Sequence, residues 1–168
     1  SKKTVLKYSR QIVRFLRTKN VKAIVVACNT ASALALDEIA KEIDIPIIGV
    51  VKPGAKMAVE TTKTGNIGVI GTAGTIKSGI YNDYIRELDS EVTVVSRACP
   101  LFVPLVEEGL LEDRVTDDIV ARYLQEMKEY HVDVLVLGCT HYPLIRNTIK
   151  RFMGEGVHLV NPAFETAK

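Results

Sequence analysis

No apolar stretch in this sequence approaches the ~18–20 residues that a membrane-spanning helix needs, so no membrane association is expected. No positively charged segment followed by an apolar run opens the chain either, which leaves no sign of a secretory leader. There are only three cysteines, Cys28, Cys99 and Cys139. An odd number at such wide spacing neither builds a disulfide framework nor matches the paired ligand spacings of structural zinc. The thiols are therefore read as reduced, the compartment as cytoplasmic, and no metal site is expected. Charge of one sign is not in excess: the net charge is +2, and Lys and Arg are spread along the chain apart from Lys2 and Lys3. That gives no basic footprint for nucleic acid. An initiator methionine is also absent. The chain opens on Ser1 and stops at Lys168 just after the helix-like segment 163–168 begins, as a piece of a longer protein would.

What is present is an ordinary globular composition. The 168 residues are 47% hydrophobic and 25% charged, enough for one large domain or two small ones. Two segments read as copies of one unit: VKAIVVACNTAS at 21–32 and VDVLVLGCTHYP at 132–143. Cys139 follows Cys28 by 111 positions, and the same offset carries Val21 onto Val132 and residues 46–48 onto 157–159 without a gap. Each copy is preceded by a helical pattern. Residues 3–19 place Tyr8, Ile12, Val13 and Leu16 on one face, and residues 114–130 place Ile119, Tyr123, Leu124 and Met127 on the matching face. The repeat unit is thus helix, strand, cysteine, helix, strand.

Residues 21–27 form a continuous apolar, β-branched run, the pattern of a strand covered on both faces. A helix from about 31 to 43 and a short strand at 46–51 follow. Between the copies lie a strand at 65–71, a loop entering a helix, and a strand at 92–96. Strands alternating with helices predict an α/β fold of two pseudo-symmetric, doubly wound parallel-sheet lobes, the first incomplete. The expected boundaries are 1–52 for the partial first lobe carrying Cys28, 53–64 for a linker, 65–160 for the second lobe carrying Cys139, and 161–168 for the start of a return to the first lobe. Subtracting the offset from 65–75 puts its counterpart ahead of residue 1, so a symmetric first lobe lacks an opening strand and loop, about 45 residues.

Ligands of doubly wound sheets sit at the carboxyl ends of strands, where both cysteines and Thr72 fall. A thiol there, at a helix start, is expected to have a lowered pKa and to serve as nucleophile or base. A lone cysteine in such a place reads as a small core residue, but two at equivalent places read as a pair facing one ligand. Asn29 and Thr30 after the first cysteine, and Thr140 and His141 after the second, supply donors that would hold a carboxylate or simply cap helices. The segment 71–75, with Thr72 and Thr75, resembles an anion nest. His141 could bind a carboxylate, protonate a leaving group or help ionise Cys139. Glu107 falls in a stretch broken by Pro100 and Pro104, hence an expected loop, where it could take a thiol proton or bind an ammonium; Glu108 reads as a solvated charge. Cys99 has no counterpart in the repeat and reads as packing.

The segments ACNTASA at 27–33, PGA at 53–55, GTAGTIKSGIY at 71–81, CPLFVPLVEEG at 99–109 and GCTHYPL at 138–144 together resemble bacterial glutamate racemase over essentially the whole chain. Ser32 and His141 favour glutamate over aspartate within that superfamily. The resemblance implies a cofactor-independent proton transfer that interconverts L- and D-glutamate for peptidoglycan. In it Cys28 and Cys139 are the catalytic acid and base, Glu107 and His141 assist, and Asn29, Thr30, Thr72, Thr75, Thr140 and His141 bind substrate. It also implies a homodimer in the intact protein. The family opens with an Asp-Ser-Gly-Val-Gly-Gly strand end and a later Pro-Tyr-Gly, and neither is found here. This chain taken by itself is accordingly expected to be inactive or weakly active. The competing readings are an aspartate or hydantoin racemase, and a ligand-binding protein or inactive fragment of the same fold.

Overall fold

Helices and parallel strands alternate along the chain, and all 168 residues are described by a computed structural model. In order the elements are α1 (Lys2–Arg17), β1 (Ile24–Val26), α2 (Asn29–Leu34), α3 (Leu36–Ala40), β2 (Ile47–Gly49), α4 (Val51–Thr61), β3 (Asn66–Gly71), α5 (Ala73–Ser78), α6 (Ile80–Leu88), β4 (Thr93–Ala98), α7 (Phe102–Glu107), α8 (Arg114–Glu129), β5 (Val134–Gly138), a 3-10 turn (Tyr142–Ile145), α9 (Arg146–Met153), β6 (His158–Val160) and α10 (Pro162–Ala167). The strands form two parallel sheets, β1-β2 and β4-β3-β5-β6. The fold is α/β with two parallel-sheet lobes, the first of them small. No helix is long and apolar enough to cross a membrane.

The 111-residue offset carries β2 onto β6 residue for residue, β1 inside β5, and α1 onto α8 within one residue. Pairing registers differ by one: Ile24 sits opposite Ile47, whereas Leu135 sits opposite Leu159 rather than His158. Every residue of β5 is buried, as its uninterrupted VLVLG predicts for a central parallel strand. Its alternation divides the core. Leu135 and Leu137 join Phe102, Leu124, Met127 and Tyr142 on one face, while Val134 and Val136 join Val51, Ala55, Ile67 and Tyr81 on the other. These two clusters hold 18 and 11 buried residues, against five in the first lobe: Leu6, Val13, Ile24, Ala35 and Ile39. At ~1.5–3 kcal/mol for each fully buried aliphatic side chain, most of the hydrophobic stabilisation resides in the second lobe.

Several elements differ from their sequence-based expectation. β1 is not covered on both faces, since Val25 is 55% exposed. In α1 the buried residues are Leu6 and Val13, while Tyr8 and Ile12 point outward. The helix expected over 31–43 breaks at Ala35 into α2 and α3. Residues 53–64, expected as a linker, are mostly α4, and its Ala55 and Ala58 belong to the second lobe's core. Pro53 stands third in that helix and Pro104 third in α7, where the first-turn N–H groups have no intrahelical acceptor, so neither proline costs a bond. Glu107 therefore ends a helix instead of lying in a loop. α10 packs along α4.

Asp133 ties the segment after α4 to the start of β5. It accepts from Thr62 Oγ1 at 2.6 Å and from the backbone N–H groups of Lys63 and Thr64 at 2.6 and 2.9 Å. Burial pushes this carboxyl up, but the three hydrogen bonds outweigh it and hold the pKa below the usual value. A depressed folded-state pKa contributes stability above the unfolded value of ~3.9, and that contribution is lost as pH falls through the folded value. Asp133→Asn is thus expected to lower the urea midpoint at neutral pH, with the gap to wild type closing below about pH 4. Parallel stability curves for the two proteins over that range would contradict this role.

Candidate active site

The carboxyl ends of β1, β3 and β5 lead to Cys28, Thr72 and Cys139. Cys28 is exposed and caps α2, its Sγ accepting from the Ala31 N–H at 3.4 Å. Cys139 is 8% exposed. Its chain passes through Thr140 and His141 into a 3-10 turn before α9 begins, so no α-helix N-terminus faces this thiol. The lowered pKa expected for it is corrected accordingly. Burial pushes the Cys139 thiol up, opposed by the His141 backbone N–H, raised again by the negative charge of a Cys28 thiolate, and lowered by Thr140. Mutual repulsion disfavours charge on both sulfurs at once.

His141 links Cys139 to Glu107. Its Nδ1 lies 3.8 Å from Cys139 Sγ and 3.4 Å from Thr140 Oγ1, and its Nε2 lies 3.2 Å from Glu107 Oε1. A carboxylate can only accept, so Nε2 carries a proton and donates to Glu107. In the neutral ring Nδ1 then holds a lone pair toward the Cys139 thiol, as a hydrogen-bond acceptor. Glu108, next to Glu107, takes part in no side-chain hydrogen bond or ion pair.

Three hydroxyls close the seam between the lobes. Thr30 Oγ1 lies 2.8 Å from Thr72 Oγ1 and 3.1 Å from Thr75 Oγ1, and Thr72 and Thr75 are themselves 3.1 Å apart. Thr72 also caps α5 by accepting from the Thr75 N–H. The triangle thus joins the start of α2 to the start of α5. Asn29 is almost fully buried, and its Oδ1 accepts from the Tyr81 hydroxyl at 2.6 Å. Tyr81 lies in the 71–81 motif, but nothing in its local sequence announces a partner 52 positions away. The only local signal is the buried face it shares with Ile85 on α6.

Cys99 stands apart from this group. It lies in the second lobe's core, burial pushes its thiol up to about 12, and its Sγ donates to the Arg97 carbonyl at 3.7 Å. No group of three or more His, Cys, Asp or Glu side chains has the arrangement of a metal site.

Two parallel-sheet lobes, with a thiol at the equivalent strand end of each, define a two-thiol α/β protein. Residues 2–168 match Asp/Glu/Hydantoin racemase, and the chain belongs to that family. A glutamate racemase from Geobacter metallireducens is 49% identical over 168 residues, covering 100% of this chain and 62% of the relative. The crystal structure of glutamate racemase isoform RacE1 from Bacillus anthracis is similar with a TM-score of 0.96 at 42% identity, covering 99% of this chain and 63% of that one. The Francisella tularensis glutamate racemase in complex with D-glutamate gives 0.91 at 34% identity, covering 99% and 62%. The chain thus spans less than two thirds of the length of these relatives.

Proposed function

We propose that this chain carries the two-thiol centre of a cofactor-independent glutamate racemase. The observation that carries the reading is the placement of Cys28 and Cys139 at equivalent strand ends of two lobes that the Thr30, Thr72 and Thr75 hydroxyls join. Inversion at Cα needs a base on one face and an acid on the other. One cysteine enters as thiolate and takes the α-proton, and the electron pair of the broken C–H bond passes onto the carbon and its carboxylate. The opposite thiol then gives its S–H proton to the other face, leaving that sulfur as thiolate. Each turnover exchanges the roles, so the reverse reaction starts from the state the forward one leaves.

The surrounding donors suit an amino acid with two carboxylates. Asn29, Thr30, Thr72, Thr75 and Thr140 offer amide, hydroxyl and backbone N–H groups to bind the carboxylates. His141, oriented by Glu107, holds its Nδ1 toward the Cys139 thiol as a hydrogen-bond acceptor. The names and bound ligand of the relatives support glutamate as substrate. In the whole protein we place the activity in the bacterial cytoplasm, acting as a homodimer and supplying D-glutamate for peptidoglycan.

The pH profile tests the assignment of Cys139. Its pKa lies above the ordinary thiol value, chiefly through burial, so at neutral pH the thiolate is the minor form. The kcat/KM for the enantiomer that Cys139 deprotonates is expected to climb close to tenfold per pH unit from about pH 6 toward its pKa. A flat profile across that range would remove Cys139 as the base. Turnover of aspartate in preference to glutamate would move the reading to another member of the family.

A further inference from the structure

Tyr81 stands on α6 in the second lobe and is 2% exposed, yet its hydroxyl reaches the first residue of α2 in the first lobe. Burial pushes the phenol far above its ordinary pKa, so it keeps its proton at every working pH. By donating to Asn29 Oδ1 it fixes which way that amide faces, because the carbonyl end is occupied. Asn29 Nδ2 donates to no protein atom. No buried side-chain nitrogen or oxygen in the molecule lacks a partner, so Nδ2 is the polar atom through which this 4%-exposed side chain meets solvent. It does so immediately after Cys28. Two glycines make room for the ring: a Cβ at Gly54 would lie 3.2 Å from the Tyr81 hydroxyl oxygen, and one at Gly138 would lie 3.4 Å from its Cε2.

We infer that Tyr81 is a positioning residue for racemisation: it holds the Asn29 amide with its NH2 turned into the cleft, where that group donates to a carboxylate of the bound amino acid. The inference rests on the glutamate racemase reading and assigns a role beyond the two thiols and their immediate neighbours. Without the hydroxyl the amide is free to rotate and can present Oδ1 to the carboxylate, replacing attraction with repulsion. Asn29 contributes binding before and after proton transfer alike, so the loss should fall on KM.

The test uses Tyr81→Phe, which keeps the ring, in the native protein. The expected result is a roughly three- to tenfold rise in KM for glutamate, the loss of one good hydrogen bond, with kcat changed by less than about twofold. On an Asn29→Ala background the same substitution should add nothing, because the two side chains act as one unit. Asn29→Asp keeps an acceptor for Tyr81 but faces the substrate with a negative oxygen, and should weaken binding more than Asn29→Ala. An unchanged KM in Tyr81→Phe, or an equal increment on the Asn29→Ala background, would overturn the positioning role and leave the racemase reading intact. A wild-type protein that does not racemise glutamate sinks the racemase reading instead. Calorimetric binding of glutamate then decides Tyr81 by the same comparison, and no binding overturns both.

Discussion

If the proposed two-thiol centre holds, Cys28→Ala and Cys139→Ala are each expected to reduce inversion of glutamate by at least about a thousandfold, because each removes the thiol that carries the proton on its side of Cα. The two variants should not behave alike in solvent deuterium. Whichever thiol remains can still take the α-proton of the enantiomer presented to it and return a deuteron to the same face. Each variant then washes out the α-proton of one enantiomer without inverting it. Polarimetry measures the inversion, and proton NMR of each recovered enantiomer measures the exchange. Cys99→Ala is the control. Its thiol is buried among Phe102, Leu124 and other core residues, so the change should cost ~1 kcal/mol of stability and leave turnover intact. Inversion that survives removal of either Cys28 or Cys139 would exclude the two-thiol centre.

Gly138→Ala is expected to destabilise the fold by about 3 kcal/mol or more, the largest stability effect of any glycine substitution in the second sheet. A Cβ at Gly138 would lie 2.6 Å from the Ile70 carbonyl oxygen. That oxygen belongs to β3, whose pairing with β5 sets Ile70 opposite Leu137 and Gly71 opposite Gly138. Neither strand can retreat without breaking the ladder, and the Tyr81 ring blocks the remaining direction at 3.4 Å. Gly68→Ala makes the contrast. There the added carbon meets Leu135 Cδ1 at 2.8 Å and Met127 Sδ at 2.9 Å, the ends of side chains that can turn away, for a cost of ~1 kcal/mol. Urea denaturation of the two variants separates these costs. Equal midpoints would mean that the close approach of β3 and β5 does not constrain the strand end that carries Cys139.

The parts of the fold that the sequence discloses are those where one physical signal dominates. The repeat carries the strand reading of 21–27 onto VLVLG, where β5 is buried along its whole length although its counterpart β1 is not, and the shared offset places β6 from β2. Proline misleads where only its identity is considered. Pro104 reads as a break, but it occupies the first turn of a helix, a position that depends on where the helix begins. Amphipathic spacing locates α1 but not its inward face. Tyr8 and Ile12 share the stripe of Val13 yet lie outside, because the covered face depends on what packs against the helix. At the site, the cysteines and the residues that follow them are legible because the repeat marks them twice. The direction of the Cys139 shift is not, since it turns on burial by α7, the 3-10 turn and their neighbours, which no local pattern encodes. The bond between Tyr81 and Asn29 spans two lobes and is invisible for the same reason.

The most direct test of the two-thiol account is racemisation of L-glutamate by the native protein in D2O, stopped early and analysed for α-deuterium in each enantiomer. Two bases on opposite faces predict that the D-glutamate formed carries deuterium at Cα while the remaining L-glutamate is still protonated. Deuterium entering the recovered L-glutamate as fast as the product, or D-glutamate that retains the original proton, would place a single base at the centre and contradict the pairing of Cys28 with Cys139.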